Sequence, residues 1–251
     1  MGGHSHWAGI KHKKALVDAK RGKVWTKLVR EITIAAKIGG GNPDHNPRLR
    51  KAVDDARAEN MPAENIKRAV QKGTGEIPGV VYEELTFEGY GPGGVAVFCE
   101  GSTDNRNRTT QQVRKVFEEH GGNMGSAGCV AFLFESRGYI TVKKAAVAED
   151  ELMGVVLDAG AEDMKSDDPS DYEIYTTPQG FEAVRSAVKA KGIAMESAEV
   201  TRVPKTSVRV ESPENAQKLL ALIEGLEDHD DVSHVYSNFD IPDAILASLE
   251  K

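Results

Sequence analysis

The sequence lacks the features that would place it among secreted or membrane proteins. It contains only two cysteines, Cys99 and Cys129, and both lie in apolar segments, which indicates buried thiols and not a disulfide framework. No apolar run approaches the length that spans a bilayer, and the N-terminus lacks the apolar core of a signal peptide. We therefore expect a cytoplasmic protein with no membrane partner.

Recognised catalytic and metal-binding motifs are also missing. The sequence contains no Gly-x-x-x-x-Gly-Lys-Ser/Thr, no His-Glu-x-x-His and no Cys-x-x-Cys. Gly91-Pro92-Gly93-Gly94 is not followed by Lys-Ser/Thr and is typical of a hairpin turn. These absences predict a protein that is not an enzyme and that uses no cofactor or metal. A start at Gly2-Gly3-His4, after loss of Met1, offers a ligand set for Cu(II) or Ni(II), but an arm that contacts nucleic acid is the simpler interpretation.

What the sequence does contain is an uneven distribution of charge. Residues 1–75 carry 16 Lys/Arg and 7 Asp/Glu, whereas residues 76–251 carry 16 Lys/Arg and 32 Asp/Glu, so the net charge of -7 conceals a basic head on an acidic body. Residues 1–30 alone hold eight Lys/Arg and a single acid, Asp18. This pattern is expected when one domain binds a polyanion and the rest does not.

The basic head is the first candidate site. Dense cations with interleaved aromatic rings suit nucleic acid, because phosphates attract the cations and bases stack on the rings. The alternative is a solvated charged face, and Trp25 is expected to pack among helices. The predicted nucleic-acid-binding residues of the head are Trp7, Lys11, His12, Lys13, Lys14, Lys20, Arg21, Lys23, Lys27 and Arg30.

A second candidate site contains Arg106 and Arg108, at the predicted start of a helix capped by Asp104 or Asn105. Cations in a first helical turn oppose the helix dipole, so a bound phosphate would explain their presence. The alternative is that Glu118, Glu119 or a carboxylate from another segment pairs with them.

An acidic cluster near the C-terminus carries the opposite charge. A solvated loop is the simplest interpretation of this cluster. The alternative is an internal contact with the basic head, since both belong to one chain and have a high effective concentration. The cluster consists of Glu224, Glu227, Asp228, Asp230 and Asp231.

Hydrophobic periodicity predicts an α+β fold. Apolar residues at helical spacing predict three helices that form a small bundle before residue 75. Strand patterns follow, with strands expected at 129–134 and 207–210, and a turn at 136–138. Residues 139–203 follow the order β-α-β-β-α-β, which is the ferredoxin-like plan.

These patterns predict a discontinuous arrangement of domains. The strands at 207–210 and 232–237 are expected to complete the sheet that begins at residue 82, with a ferredoxin-like domain inserted between. The predicted domains are a basic helical head with an N-terminal arm (1–78), an α/β middle domain (79–136 plus 204–240), the inserted domain (137–203) and a tail (241–251).

Several long motifs resemble the YebC/PmpR family over the whole chain. They include the run from His4 to His12, the segment Gly89-Tyr90-Gly91-Pro92-Gly93-Gly94-Val95, and Thr103-Asp104-Asn105 with Asn107-Arg108-Thr109. The resemblance implies a helical head followed by two α/β domains. It also implies a probable transcriptional regulator that binds DNA, although some members act in translation on ribosomes or mitochondrial messages.

Three hypotheses for the function follow. The first is a DNA-binding transcriptional regulator, with the transcription machinery as a partner. The second is a translation factor that binds ribosomal or messenger RNA, and the third is a protein–protein adaptor whose basic head meets an acidic partner. The head shows no recognition helix with base-reading side chains, so strong sequence specificity on DNA is not expected. No oligomeric state is predicted.

Overall fold

The computed structural model describes residues 19–249, with side chains from residue 22 onwards. Within this range the chain forms two compact units. The first unit comprises residues 19–129 and 217–235, and the second unit comprises residues 130–216 and 236–249. Each unit is described separately below.

The fold is α+β, as the sequence predicted. The helices are α1 (Ala19–Gly39), α2 (Pro47–Ala58), α3 (Ala63–Thr74), α4 (Arg106–Glu119), α5 (Glu149–Asp158), α6 (Phe181–Ala190), α7 (Pro213–Glu227) and α8 (Asp243–Leu249). The strands are β1 (Glu83–Gly91), β2 (Val95–Thr103), β3 (Asn123–Met124), β4 (Phe134–Lys143), β5 (Asp163–Lys165), β6 (Asp171–Thr176), β7 (Ser197–Pro204), β8 (Val208–Arg209), β9 (Val232–Ser237) and β10 (Phe239–Asp240). No helix in the described range is both long and apolar enough to cross a bilayer.

The head of the first unit is a bundle of α1, α2 and α3. Each helix buries one apolar stripe at helical spacing, and Ile32, Leu49 and Ile66 represent the three stripes in the shared core. Trp25 packs against this core, and its indole N–H donates a hydrogen bond to the Glu59 carbonyl oxygen at 3.0 Å. The expectation that Trp25 packs among helices is therefore confirmed.

Asn46 joins the end of α1 to the start of α2. Its buried side-chain amide donates to the carbonyl oxygens of Ala35 and Gly40 at 2.8 and 2.9 Å, and its Oδ1 accepts from the Leu49 N–H at 3.1 Å. These bonds satisfy backbone groups that a helix end leaves without partners. Gly40, with φ of 83°, follows α1 in the left-handed conformation that favours glycine.

The sheet of the first unit has the strand order β3-β1-β2-β9. β1 and β2 form an antiparallel hairpin in which Phe87 lies opposite Cys99. At the end of β1, a Cβ on Gly91 would lie 2.9 Å from the Leu219 side chain of α7. The absence of a side chain at Gly91 therefore lets α7 pack close against the hairpin.

The main sheet of the second unit has the order β5-β6-β4-β7, with β4 antiparallel to both of its neighbours. Its chain order is β4-α5-β5-β6-α6-β7, the predicted ferredoxin-like plan. α5 and α6 contribute Leu152 and Val184 to a core that also contains Ile140 and Ile174 of the sheet. β8 and β10 form a separate parallel pair.

The expected strand at 129–134 and turn at 136–138 are wrong. Residues 131–133 form a short 3-10 helix, and β4 runs through the glycine without interruption. Gly138 pairs with Thr176 on one side and Val200 on the other. A Cβ there would lie 2.1 Å from Thr176 Oγ1, so this glycine permits close packing inside a sheet and does not form a turn.

The expected place of the 207–210 strand is also wrong. β8 pairs with β10 in the second unit. Of the two strands that were expected to complete the first sheet, only β9 joins it, and it lies beside β2. The two-residue strand β3 was not expected, because Asn123 and Met124 are too few to show a period of two.

Candidate nucleic-acid interface

The predicted interface falls partly outside the described residues. The residues outside the described range include the Gly2-Gly3-His4 start and the predicted contacts Trp7, Lys11, His12, Lys13 and Lys14. The backbone of Lys20 and Arg21 belongs to α1, but their side chains are not described. The predicted residues with described side chains are Lys23, Lys27, Arg30, Arg106 and Arg108.

Lys23, Lys27 and Arg30 occupy one face of α1, spaced four and three residues apart. All three contact residues 227–231, a segment that we call the acidic turn. Lys27 Nζ donates to the Glu227 carbonyl oxygen at 2.6 Å, and Lys23 Nζ donates to the Asp228 carbonyl oxygen at 3.2 Å. The internal contact between the basic head and the acidic cluster is therefore confirmed.

The two lysines also stabilise the end of α7. This helix ends at Glu227, where the last carbonyl groups lack intrahelical partners and the helix dipole places partial negative charge. Lys23 and Lys27 bring positive charge and hydrogen-bond donors to this end. The α1 cations thus have a structural role within the first unit, which sequence analysis did not assign to them.

Asp231 anchors the acidic turn. Its side chain is only 3% exposed, and its Oδ1 accepts from Arg30 at 2.5 Å. Its Oδ2 accepts from Arg108 at 2.9 Å, from Thr109 Oγ1 at 2.5 Å and from Thr103 Oγ1 at 3.2 Å. Four side chains from three parts of the sequence therefore meet at one carboxylate.

The pKa of Asp231 reflects these partners. Burial by itself raises the pKa of a carboxyl group, because it penalises the charged form. Here the hydrogen bonds from Thr109 and Arg108 and the charge of Arg30 outweigh burial and lower the pKa from 3.8 to about 2. Asp231 is therefore ionised throughout the physiological range.

Gly101 allows Asp231 to approach β2. A Cβ on Gly101 would lie 2.1 Å from the Asp231 carbonyl oxygen, which accepts from the Ser102 N–H at 2.9 Å. Arg30 is enclosed at the same place, since its guanidinium lies 5.5 Å from the centre of the Tyr82 ring and donates to the Asp230 carbonyl oxygen at 2.6 Å. The geometry holds Arg30 in a fixed position.

His229 shapes the middle of the acidic turn. Its Nδ1 accepts from the Asp231 N–H at 3.1 Å, and its Nε2 lies 3.2 Å from Gln112 Oε1. These partners require a neutral ring with the proton on Nε2. Burial lowers the pKa of His229, despite the neighbouring charges of Asp231 and Asp230.

The second candidate site is occupied by protein carboxylates. Arg108 donates to Asp104 at 2.8 Å as well as to Asp231, and Arg106 lies 4.0 Å from Glu83. The Asn105 side chain caps α4 by accepting from the Arg108 N–H at 3.1 Å. The structure thus places Arg108 with Arg30 around Asp231, while Arg106 pairs elsewhere.

A cleft of about 590 Å³ opens along this contact. α1 contributes Lys23 to its lining, α4 contributes Gln112, Lys115 and Glu119, and the acidic turn contributes Asp228 and His229. The lining holds four cations and four acids, so the cleft has no excess of either sign with the turn in place.

The sequence analysis missed three exposed cations on α3. Lys67, Arg68 and Lys72 lie on the outer surface of α3, and the described part of the chain offers none of them an ion pair. Their positions outside the stripe formed by Ile66 and Ala69 were the available signal. Lys37 at the end of α1 is exposed in the same way.

The two cysteine thiols of the described range are not activated. Burial raises the pKa of the Cys99 and Cys129 thiols, which disfavours the reactive thiolate. Between residues 19 and 249 there is no cluster of His, Cys, Asp and Glu with the geometry to hold a metal ion.

Fold and site together define an α+β protein that combines a cation-rich helical head with a split βαβ sheet. Residues 5–76 match the TACO1/YebC protein N-terminal domain, and residues 82–239 match the TACO1/YebC second and third domain. The chain therefore belongs to the TACO1/YebC family. The resemblance found in the sequence motifs is confirmed.

Similar proteins carry names that indicate regulation. A probable transcriptional regulatory protein of Syntrophobacter fumaroxidans is 57% identical over 246 residues, 98% of each chain. One from Dictyoglomus turgidum is 56% identical over 250 residues, which is 99% of this chain and 100% of the relative. A crystal structure of a conserved hypothetical protein from Aquifex aeolicus is 49% identical, with a TM-score of 0.82 over 94% of this chain and 97% of that one. The relatives support a regulator in general.

Proposed function

We propose that this protein is a non-enzymatic cytoplasmic regulator that binds nucleic acid through its helical head, with duplex DNA as the first candidate ligand. The observation that carries the proposal is the concentration of cations on the head of an otherwise acidic chain. The names of the relatives favour transcription as the regulated process.

The proposed interface extends from the predicted residues onto the outer surface of the head. Lys23 keeps 48% of its side chain exposed, and Lys67, Arg68 and Lys72 are exposed cations on α3. Lys11, Lys13, Lys14, Lys20 and Arg21, which the sequence predicts as phosphate contacts, belong to the proposed interface as well. Phosphate contacts of this kind position a protein on nucleic acid without reading its sequence.

A translation factor is the second candidate, and the same chemistry supports it. Lys and Arg are the main charged groups offered by the described head, and they bind RNA phosphates as well as DNA phosphates. A protein–protein adaptor is the third candidate. The support for it is that α1 already binds an acidic segment of its own chain.

Crosslinking in cells followed by sequencing of both DNA and RNA would distinguish these candidates. We expect DNA regions to be enriched if the protein regulates transcription. Ribosomal or messenger RNA as the main product would favour the translation factor instead. Enrichment of neither nucleic acid would favour the adaptor.

A binding titration against salt tests the interface directly. Replacing Lys13, Lys14, Lys23 and Lys27 by Ala should weaken binding similarly for all sequences, and should reduce the slope of log K against log salt by about 3–4 for a duplex. A matched control replaces four exposed cations of the second unit, Lys189, Lys191, Lys205 and Arg209. An unchanged slope in the first variant would place the interface elsewhere.

A further inference from the structure

The contact between α1 and the acidic turn is tight at one end and loose at the other. Arg30 is only 13% exposed and is bonded to Asp231 and to the Asp230 carbonyl oxygen. Lys23, by contrast, meets the carboxylate of Asp228 at 3.9 Å, with both side chains about half exposed. Exposed ion pairs of this kind contribute little to stability.

The acidic turn offers α1 the same chemistry that a phosphate chain would offer. It combines the negative end of α7 with the carboxylates of Glu227, Asp228 and Asp230. Lys23 and Lys27 donate through Nζ to main-chain carbonyl oxygens of the acidic turn, those of Asp228 and Glu227. A bound polyanion would need the same donors, because charge-assisted hydrogen bonds are the main contacts to phosphate.

We propose that the acidic turn is a built-in competitor of nucleic acid for the cation face of α1. A polyanion displaces Glu227 and Asp228 from Lys27 and Lys23, while Asp231 stays bonded to Arg30 and Arg108. This inference rests on the proposed function, since it assigns a means of control to the same surface.

Tethering determines which ligands succeed in this competition. A segment held in the same chain has an effective concentration on the order of millimolar, so isolated anions compete poorly against it. A ligand with several adjacent phosphates gains contacts with the exposed cations of the head at the same time. The acidic turn therefore selects for long polyanions and keeps the face covered in their absence.

The first test removes charge from the loose part of the acidic turn. The variant carries Glu227→Gln, Asp228→Asn and Asp230→Asn, and leaves the buried Asp231 intact. A control with the same change in net charge carries Asp167→Asn, Glu196→Gln and Glu199→Gln, three exposed acids of the second unit. The probes are a labelled DNA duplex and a labelled RNA strand of about 20 nucleotides, titrated at about 50 and 300 mM salt.

We expect the variant to bind more tightly than the wild type by about three- to tenfold at the lower salt concentration. The gain should nearly disappear at the higher salt concentration, because exposed charges are screened over a few ångströms. An equal gain in the control, or none in the variant, would overturn the competition. Failure of every protein to bind either probe would instead overturn the proposed function.

Hydrogen exchange on the wild-type protein provides a second test that needs no substitution. Adding the duplex should speed amide exchange at Asp228 and His229, whose N–H groups bond to the Glu224 and Leu226 carbonyl oxygens of α7. The Ser102 amide, which donates to the Asp231 carbonyl oxygen, should stay protected. Tight binding with slower or unchanged exchange at Asp228 and His229 would show that the acidic turn is not displaced.

Discussion

At the scale of single residues, the carboxylate of Asp231 joins parts of the sequence that lie far apart. Arg30 stands 201 residues before it, and Arg108 stands 123 residues before it. Removal of this buried carboxylate should be strongly destabilising, because it would leave the enclosed guanidinium of Arg30 without its acidic partner. The stability of the first unit should therefore be sensitive to this position.

We expect Asp231→Asn to lower the free energy of unfolding of the first unit by about 3 kcal/mol, measured by urea denaturation. Asp228→Asn is the matched control, since it removes the same charge from a half-exposed position, and should cost under about 1 kcal/mol. Equal effects of the two substitutions would contradict the structural role of Asp231.

The pKa of His229 predicts how stability varies near neutral pH. Burial lowers this pKa below the ordinary value of 6.5, so the unfolded chain takes up a proton before the folded chain does. Stability should therefore be fully present above pH 6.5 and should decline as the pH falls below this value. His229→Gln should remove this part of the pH dependence of the urea midpoint, and persistence of the same decline would assign it to another group.

The lowered pKa of Asp231 predicts a separate loss of folding stability at lower pH. Its pKa is about 2 in the folded chain and 3.8 ordinarily, so its contribution is present above pH 3.8 and is lost as the pH falls toward 2. The difference corresponds to about 2 kcal/mol. The measurement is the urea midpoint of the wild type and of Asp231→Asn at pH 5 and at pH 3. The difference between the midpoints of the two proteins should be smaller at pH 3 than at pH 5.

Single-residue roles were only partly predictable from the sequence. The charge and helical spacing of Lys23, Lys27 and Arg30 were visible, and both alternatives for the acidic cluster followed from its composition. The choice of Asp231 as the buried acid was not predictable, because Asp228 and Asp230 have the same chemistry. What distinguishes Asp231 is its approach to β2 at Gly101, together with side chains of distant segments that meet at its carboxylate.

At the scale of elements, glycine explains where sequence analysis succeeded and failed. The turn after β1 was expected from consecutive glycines, and Gly93 does adopt φ of 78° there. The same residue type at Gly138 misled the analysis, because its role depends on Thr176 and Phe181 of distant elements. Local sequence patterns predict backbone conformation well, but they do not show at which positions a neighbouring element leaves no room for a side chain.

Two glycine substitutions in the second unit test this distinction. In Gly138→Ala the new methyl group would lie 2.1 Å from Thr176 Oγ1, so we expect a loss of at least about 2 kcal/mol in unfolding free energy. Gly154→Ala places its methyl group in open space within α5 and should stabilise the unit by about 0.5–1 kcal/mol. Thermal melting of both variants measures the contrast, and a stable Gly138→Ala protein would refute the packing argument.

At the scale of the whole molecule, the strand pairings predict which segments fold alone. The four strands β4 to β7 and their two helices are continuous in sequence and share one core. A fragment of residues 130–206 should therefore melt cooperatively. Residues 79–136 alone should not, because β2 would lose β9 and expose an unpaired edge. Circular dichroism of both fragments tests this arrangement of domains, and cooperative melting of both would contradict it.

The long separation between Arg30 and Asp231 has a consequence for synthesis. At about 5–20 residues per second, the acidic turn is made some 10–40 s after the α1 cations that it later contacts. Every nascent chain therefore passes through a stage in which this basic helix is uncovered while the chain is still attached to a ribosome, itself rich in RNA. The α1 face can be covered by the acidic turn only after residue 231 has left the ribosome.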